Sequence, residues 1–123
     1  MITLKKVLKK VSKKTDNVTK SFDDITKEAV KERTTKAKTD ILRKKKGDFD
    51  TANKDFDSME LDEVSDLKNK DGEVIGREGI DADGNIVKVR QYSSDGTPTL
   101  EKGKMNSKNK YKKKTEIRYG QSN

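Results

Sequence analysis

The chain has 123 residues, sets 30 Lys and Arg against 22 Asp and Glu for a net charge of +8, and contains no His, Cys or Trp. That inventory excludes disulfides, thiol nucleophiles, Ser-His-Asp arrangements and structural zinc, and leaves Lys, Asp, Glu, Ser and Tyr as the groups on which any catalysis would rest. Leu, Ile, Val and Phe together supply 24 of the 123 residues, about the level below which a highly charged chain is expected to stay disordered, so one core spanning the whole length is not expected.

No apolar run reaches the roughly 20 residues needed to cross a bilayer, and the basic start lacks the apolar stretch of a secretory signal. The expectation is a soluble, intracellular chain. Its charge is laid out in blocks: 16 basic residues against 6 acids over 1–46, 6 against 15 over 47–101, and 8 against 1 over 102–123. Such blocks repel internally, so the basic ends either fold back on the acidic middle or meet an external polyanion. With 25 Lys and only 5 Arg, the contacts favoured are point charges on phosphate or carboxylate rather than bidentate reading of bases.

Residues 1–46 read as a basic amphipathic helix. Leu4, Val7, Leu8, Val11, Val18, Phe22, Ile25 and Ala29 fall on one helical stripe. Of these, Leu4, Leu8, Val11, Val18, Phe22 and Ile25 are the expected partner interface. Lys5, Lys6, Lys9, Lys10, Lys13 and Lys14, with Arg43, Lys44, Lys45 and Lys46, are the expected polyanion or nucleic-acid contacts. Lys36 lands inside the stripe, so the buried face ends near Ala29 even if the helix runs on toward Gly47. The stripe suits packing on the chain's own domain or a partner, a rod along nucleic acid, or a helix lying on a membrane surface. The last lacks the Trp that an interface helix favours.

Residues 47–70 form an acidic segment with a predicted helix from about Thr51 to Leu67. Phe49, Ala52, Phe56, Met59 and Leu67 share one face, and Glu63 intrudes on it. Eight acids between Asp48 and Asp66 face the single Lys54. They can neutralise a basic block, and no pair of them is fixed in a pocket where acid/base or metal chemistry would follow.

Across 71–101 the dipeptide DG recurs at 71–72, 83–84 and 95–96, always 12 residues apart. That is the length of a strand plus a tight turn, and DG between alternating apolar segments favours a hairpin, so a β-meander is predicted. Val74, Ile80, Ile86, Val87, Val89 and Tyr92 supply its β-formers, and Gly76 and Gly79 weaken the first strand or mark a bulge. The DADGN stretch at 81–85 has the alternating Asp and Asn of a calcium loop. Its glycine comes fourth instead of sixth, however, and Tyr92 stands where the bidentate Glu belongs, so turn chemistry is expected and no metal or cofactor. These units resemble the DG-punctuated strand repeats of bacterial YD/RHS-type and MORN-like antitoxin-component proteins, a resemblance that covers about a quarter of the chain and carries no function.

Residues 102–123 read as a basic tail. Lys112, Lys113 and Lys114 are further polyanion contacts, interleaved with Tyr111 and Tyr119, and TEIRY at 115–119 alternates like a terminal strand. The architecture expected is α+β: a long basic helix, a shorter acidic helix, a three- or four-stranded antiparallel meander and a basic tail, extended rather than one compact globule. In small size, Lys-rich ends and sparse core the chain resembles minor virion proteins of tailed bacteriophages, and also ribosomal proteins with extended tails. The resemblance implies a non-enzymatic structural or assembly protein of the virion or the bacterial cytoplasm, held among other proteins of a capsid or similar shell and touching nucleic acid non-specifically. Two alternatives stand beside it: a free, sequence-nonspecific nucleic-acid-binding protein, and a small immunity- or antitoxin-like module that binds one protein.

Overall fold

A computed structural model describes residues 20–93 and 96–120. Within them, short alternating runs dominate over helical stripes. IVKVR at 86–90 puts Val87 and Val89 on one side and Lys88 and Arg90 on the other, and DILRK at 40–44 shows the same alternation in burial. Seven strands result: β1 (Val30–Thr34), β2 (Asp40–Lys44), β3 (Asp62–Lys68), β4 (Val74–Ile80), β5 (Ile86–Arg90), β6 (Thr99–Met105) and β7 (Tyr111–Tyr119). They form a single sheet in the order β1-β2-β7-β6-β5-β4-β3.

The topology is a hairpin joined to a meander. β1 and β2 pair antiparallel, the chain crosses to the far edge, and β3 to β7 then return strand by strand until β7 lies parallel to β2. The crossing is made by α2 (Phe49–Ser58), after a shorter helix α1 (Phe22–Thr26). A crossover helix between the hairpin and the meander lies over one face, and here it packs on β5, β6 and β7. α2 starts at a capping box, in which Thr51 N–H donates to Asp48 Oδ1 at 3.0 Å and Asp48 N–H donates to Thr51 Oγ1 at 3.3 Å. Beneath the two helices lie Phe22, Ile25, Ala52, Phe56, Val87, Val89, Leu100, Ile117 and Tyr119 as one apolar core.

The expected architecture is corrected on several points. Among the described residues the fold is a seven-stranded mixed sheet with two short helices, in place of a long basic helix, an acidic helix and a three- or four-stranded meander. The helical stripe predicted past Ile25 gives way to β1 and β2. DILRK alternates Leu42 toward the core with Ile41 and Arg43 on the opposite face, and β7 offers it a partner. The predicted helix 51–67 stops at Ser58, and Glu60 takes a positive φ of 49° before β3 begins at Asp62. Its apolar spacing of three and four breaks after Met59, and the charged run DEVSDLK becomes a blunted sheet edge. The tail is no free arm, because residues 102–105 and 111–119 are strands within the sheet. Residues 4–19 of the predicted helix lie outside the described residues.

Two glycines are demanded by close approach. A Cβ on Gly76 would sit 2.0 Å from the Val89 carbonyl oxygen, and one on Gly103 would sit 2.3 Å from that of Lys112 and 2.8 Å from the Tyr111 ring. The DADGN stretch forms a turn: Asp81 Oδ1 accepts the backbone N–H groups of Asp83 and Asn85 at 2.9 and 2.8 Å, and Oδ2 accepts the Asn85 amide at 2.9 Å. Burial pushes the Asp81 carboxyl up, but these hydrogen bonds outweigh it and hold the group below its ordinary range.

Candidate functional site on the face opposite the described helices

Both described helices pack on the same side of the sheet. The alternate residues of β2, β5, β6 and β7 therefore point to the other side, where, beside the apolar Ile41, a polar group gathers: Arg43, Lys88, Arg90, Thr99, Glu101, Tyr111, Lys113, Glu116 and Arg118. Several are almost out of solvent, with Glu101 4 %, Glu116 3 % and Arg118 7 % exposed.

Register brings them together. Glu101 and Glu116 are direct cross-strand partners on β6 and β7. Like charges placed opposite one another destabilise a strand pair, so the arrangement needs cations around it. Lys113 Nζ donates to Glu116 Oε1, and Arg118 Nε donates to Glu116 Oε2 at 2.6 Å. Burial pushes the Glu116 carboxyl up, yet the hydrogen bonds from Lys113 and Arg118 prevail and hold it below the usual carboxylate range. Glu101 is bound less completely. Its Oε2 accepts the Tyr111 hydroxyl at 2.8 Å, while its Oε1 lies 3.7 Å from Arg90 Nε, beyond hydrogen-bond reach.

A local irregularity aims Tyr111 at that carboxylate. The register of β6 against β7 slips between Lys102 and Gly103, which returns Tyr111 and Lys113 to the face of Glu116. The missing side chain at Gly103 leaves room for the Tyr111 ring. Lys88 Nζ sits 4.1 Å from the ring centroid. Burial first, then the Glu101 charge, raises the Tyr111 hydroxyl above its ordinary value of 10, so it stays a donor.

Between these groups opens a cleft of about 150 Å³, lined by Arg90, Lys113 and Arg118 as cations, Glu101 and Glu116 as anions, and Thr99, Ser93 and Tyr92 at its margin. Tyr92 is 54 % exposed. Arg90 Nε is buried without a hydrogen-bond partner. A larger hollow of about 500 Å³ lies between α1 and the β4–β5 turn, with Asp24, Asp81 and Asp83 in its wall. Size is a poor guide here: Asp24 closes the α1 capping box and Asp81 closes its own turn, so that hollow gathers groups already used by the backbone. The smaller cleft is the one that gathers acid, base and cation side chains from three strands.

The sequence-predicted residues are placed as follows. Leu4, Leu8, Val11 and Val18, with Lys5, Lys6, Lys9, Lys10, Lys13 and Lys14, lie outside the described residues. Phe22 and Ile25, expected at a partner interface, are buried in the chain's own core. Arg43, expected to meet a polyanion, is 2 % exposed and clamps Glu32 through two hydrogen bonds of 3.2 and 3.3 Å. Lys44 is engaged by Glu28 at 2.9 Å and Asp55 at 3.3 Å. Lys45, Lys46, Lys112 and Lys114 are exposed, and Lys113 alone of the expected cations enters the cleft. Sequence reasoning missed Arg90, Glu101, Tyr111, Glu116 and Arg118 as a site. A signal existed in the period-two charges of IVKVR and TEIRY, where Lys88 pairs with Arg90, and Glu116 with Arg118, on the side opposite Val and Ile. No protein-family model matches the chain, and no curated protein or solved structure matches it.

Proposed function

We propose that the chain binds single-stranded nucleic acid, indifferent to sequence, on the face of its sheet opposite the two described helices. The observation that carries this reading is the cleft in which Arg90, Lys113 and Arg118 outnumber two carboxylates beneath the exposed ring of Tyr92. Cations that follow a backbone, with an aromatic ring on which a base can stack, are the means by which proteins hold single strands without reading them. A net charge of +8 favours encounter with such a strand. Of the six stripe residues expected to meet an assembly partner, the two that are described, Phe22 and Ile25, serve the core. The sheet face therefore carries the proposal in preference to assembly.

The test is fluorescence anisotropy with a labelled single-stranded oligonucleotide over a salt series. Binding should weaken linearly on a log–log plot, and Arg90→Ala and Lys113→Ala should each lower the slope by about 0.7, the value for one phosphate on a single strand. Salt-independent binding, or no binding at low salt, would sink the reading.

A further inference from the structure

We propose that the cleft also cleaves the strand it holds when that strand is RNA, with Glu101 as general base, Lys113 as general acid and Arg90 as the ligand of the phosphate. The inference rests on the binding reading above and goes beyond it to an activity. Three observations carry it. A directly opposed pair of buried carboxylates, Glu101 and Glu116, is a poor device for stability on a sheet face. The two are also bound unequally: Glu116 is held at both oxygens by Lys113 and Arg118, whereas Glu101 has only Oε2 fixed, by Tyr111. Finally, Arg90 Nε is buried without a hydrogen-bond partner beside that second oxygen of Glu101, in the wall of the cleft.

RNA carries its own nucleophile, so no group outside the cleft is needed. Glu101 Oε1 accepts the proton of a ribose 2′-hydroxyl. The 2′-oxygen forms a bond to the adjoining phosphorus, and the bond from phosphorus to the 5′-oxygen of the next nucleotide breaks. The leaving 5′-oxygen takes a proton from the Lys113 ammonium, which Glu116 keeps in the cleft. The products are a 2′,3′-cyclic phosphate end and a 5′-hydroxyl end, and the proton gained by Glu101 returns to Lys113 through solvent. Arg90 meets the charge that builds on the phosphoryl oxygens, where a fixed cation acts most strongly. DNA lacks the 2′-hydroxyl and should be held intact.

The experiment uses the full chain with end-labelled single-stranded RNA, the same sequence fully 2′-O-methylated, and the same sequence as DNA, all with EDTA present. The expected result is comparable binding of all three and shortening of RNA alone, its new ends bearing cyclic phosphate. Glu101→Gln should slow that cleavage by about 100-fold or more, the ordinary worth of a general base, with binding retained. RNA that is bound and stays intact would overturn the inference and leave the binding reading standing; failure to bind any of the three strands would remove both. Cutting of the 2′-O-methyl strand, or parent-rate cutting by Glu101→Gln with an unchanged circular dichroism spectrum, would overturn it as well. Should that variant not fold, the comparison of RNA with its 2′-O-methyl form in the parent chain still decides.

Discussion

The two faces of the sheet are made from alternate residues of the same strands, yet they are filled in opposite ways. On the helix-covered face, Val87, Val89, Leu100, Ile117 and Tyr119 meet Phe56 and Ala52 of α2. On the other face, the residues between them, Lys88, Arg90, Glu101, Glu116 and Arg118, set charge against charge. Apolar burial contributes about 25 cal/mol per Å² removed from water, while buried ion pairs roughly break even against their desolvation. The covered face should therefore carry most of the stability, and the open face should be replaceable at small cost to folding.

Phe56→Ala tests the first half of that comparison and should show the largest effect. The ring is 2 % exposed at the centre of the core, with the Arg77 guanidinium 4.6 Å from its centroid. Truncation should cost about 3–5 kcal/mol, a large share of the stability of any small domain, read as a lower midpoint in urea. A loss below about 1 kcal/mol would mean that α2 does not anchor the sheet. Tyr119→Phe comes next. The Tyr119 hydroxyl donates to Asp55 Oδ2 at 2.7 Å inside the covered face. Burial and then this hydrogen bond raise it above its ordinary value of 10, so it remains protonated. Removing it should cost about 1.5–3 kcal/mol, as for a hydrogen bond to a charged partner.

Glu101→Gln tests the second half of the comparison. It deletes one charge from the directly opposed pair, so repulsion is relieved as the contact to Arg90 is weakened. The midpoint should move by less than about 1 kcal/mol. A loss as large as that of Tyr119→Phe would show that the open face is built for stability after all, and would weaken the functional reading of the cleft with it.

This contrast also explains what could be read from the chain and what could not. The strands of the meander announce themselves locally, in IVKVR and in DG pairs whose glycines take φ of 81°, 83° and 84° at positions 72, 84 and 96. α2 was legible in the spacing of Phe49, Ala52, Phe56 and Met59, although its end was not, because Leu67 falls back on the same stripe beyond the intruding Glu63 and only the pairing of β3 with β4 decides against it. β1 and β2 were invisible for a different reason. Their segment has few apolar residues to alternate, and the pairing that makes β2 a strand is with Thr115–Tyr119, far along the chain. The cleft was hidden twice over: the facing of Glu101 and Glu116 depends on strand pairing, and the return of Tyr111 and Lys113 to that face depends on the slip between Lys102 and Gly103. Neither is a property of spacing within one segment.

The smallest effect expected lies at the rim of the covered face, where charge rather than apolar area ties the elements together. Glu28 accepts hydrogen bonds from Lys20 and Lys44, each at 2.9 Å, and these hold its carboxyl at about 2 against an ordinary value of 4.5. A depressed carboxylate favours the folded state only while ionised in both states, so its contribution is complete above about pH 4.5 and disappears as the pH falls toward about 2. The side chain is 39 % exposed, so water screens both pairs and the whole contribution should be about 0.5–1 kcal/mol. Other carboxylates titrate in the same range, which makes the difference between parent and Glu28→Gln the useful quantity. That difference should be present near neutral pH, shrink in high salt, and fade as the pH falls through about 2. A deficit that persists well below pH 2 would instead assign the role of Glu28 to packing, because only there is the parent side chain as neutral as the glutamine that replaces it.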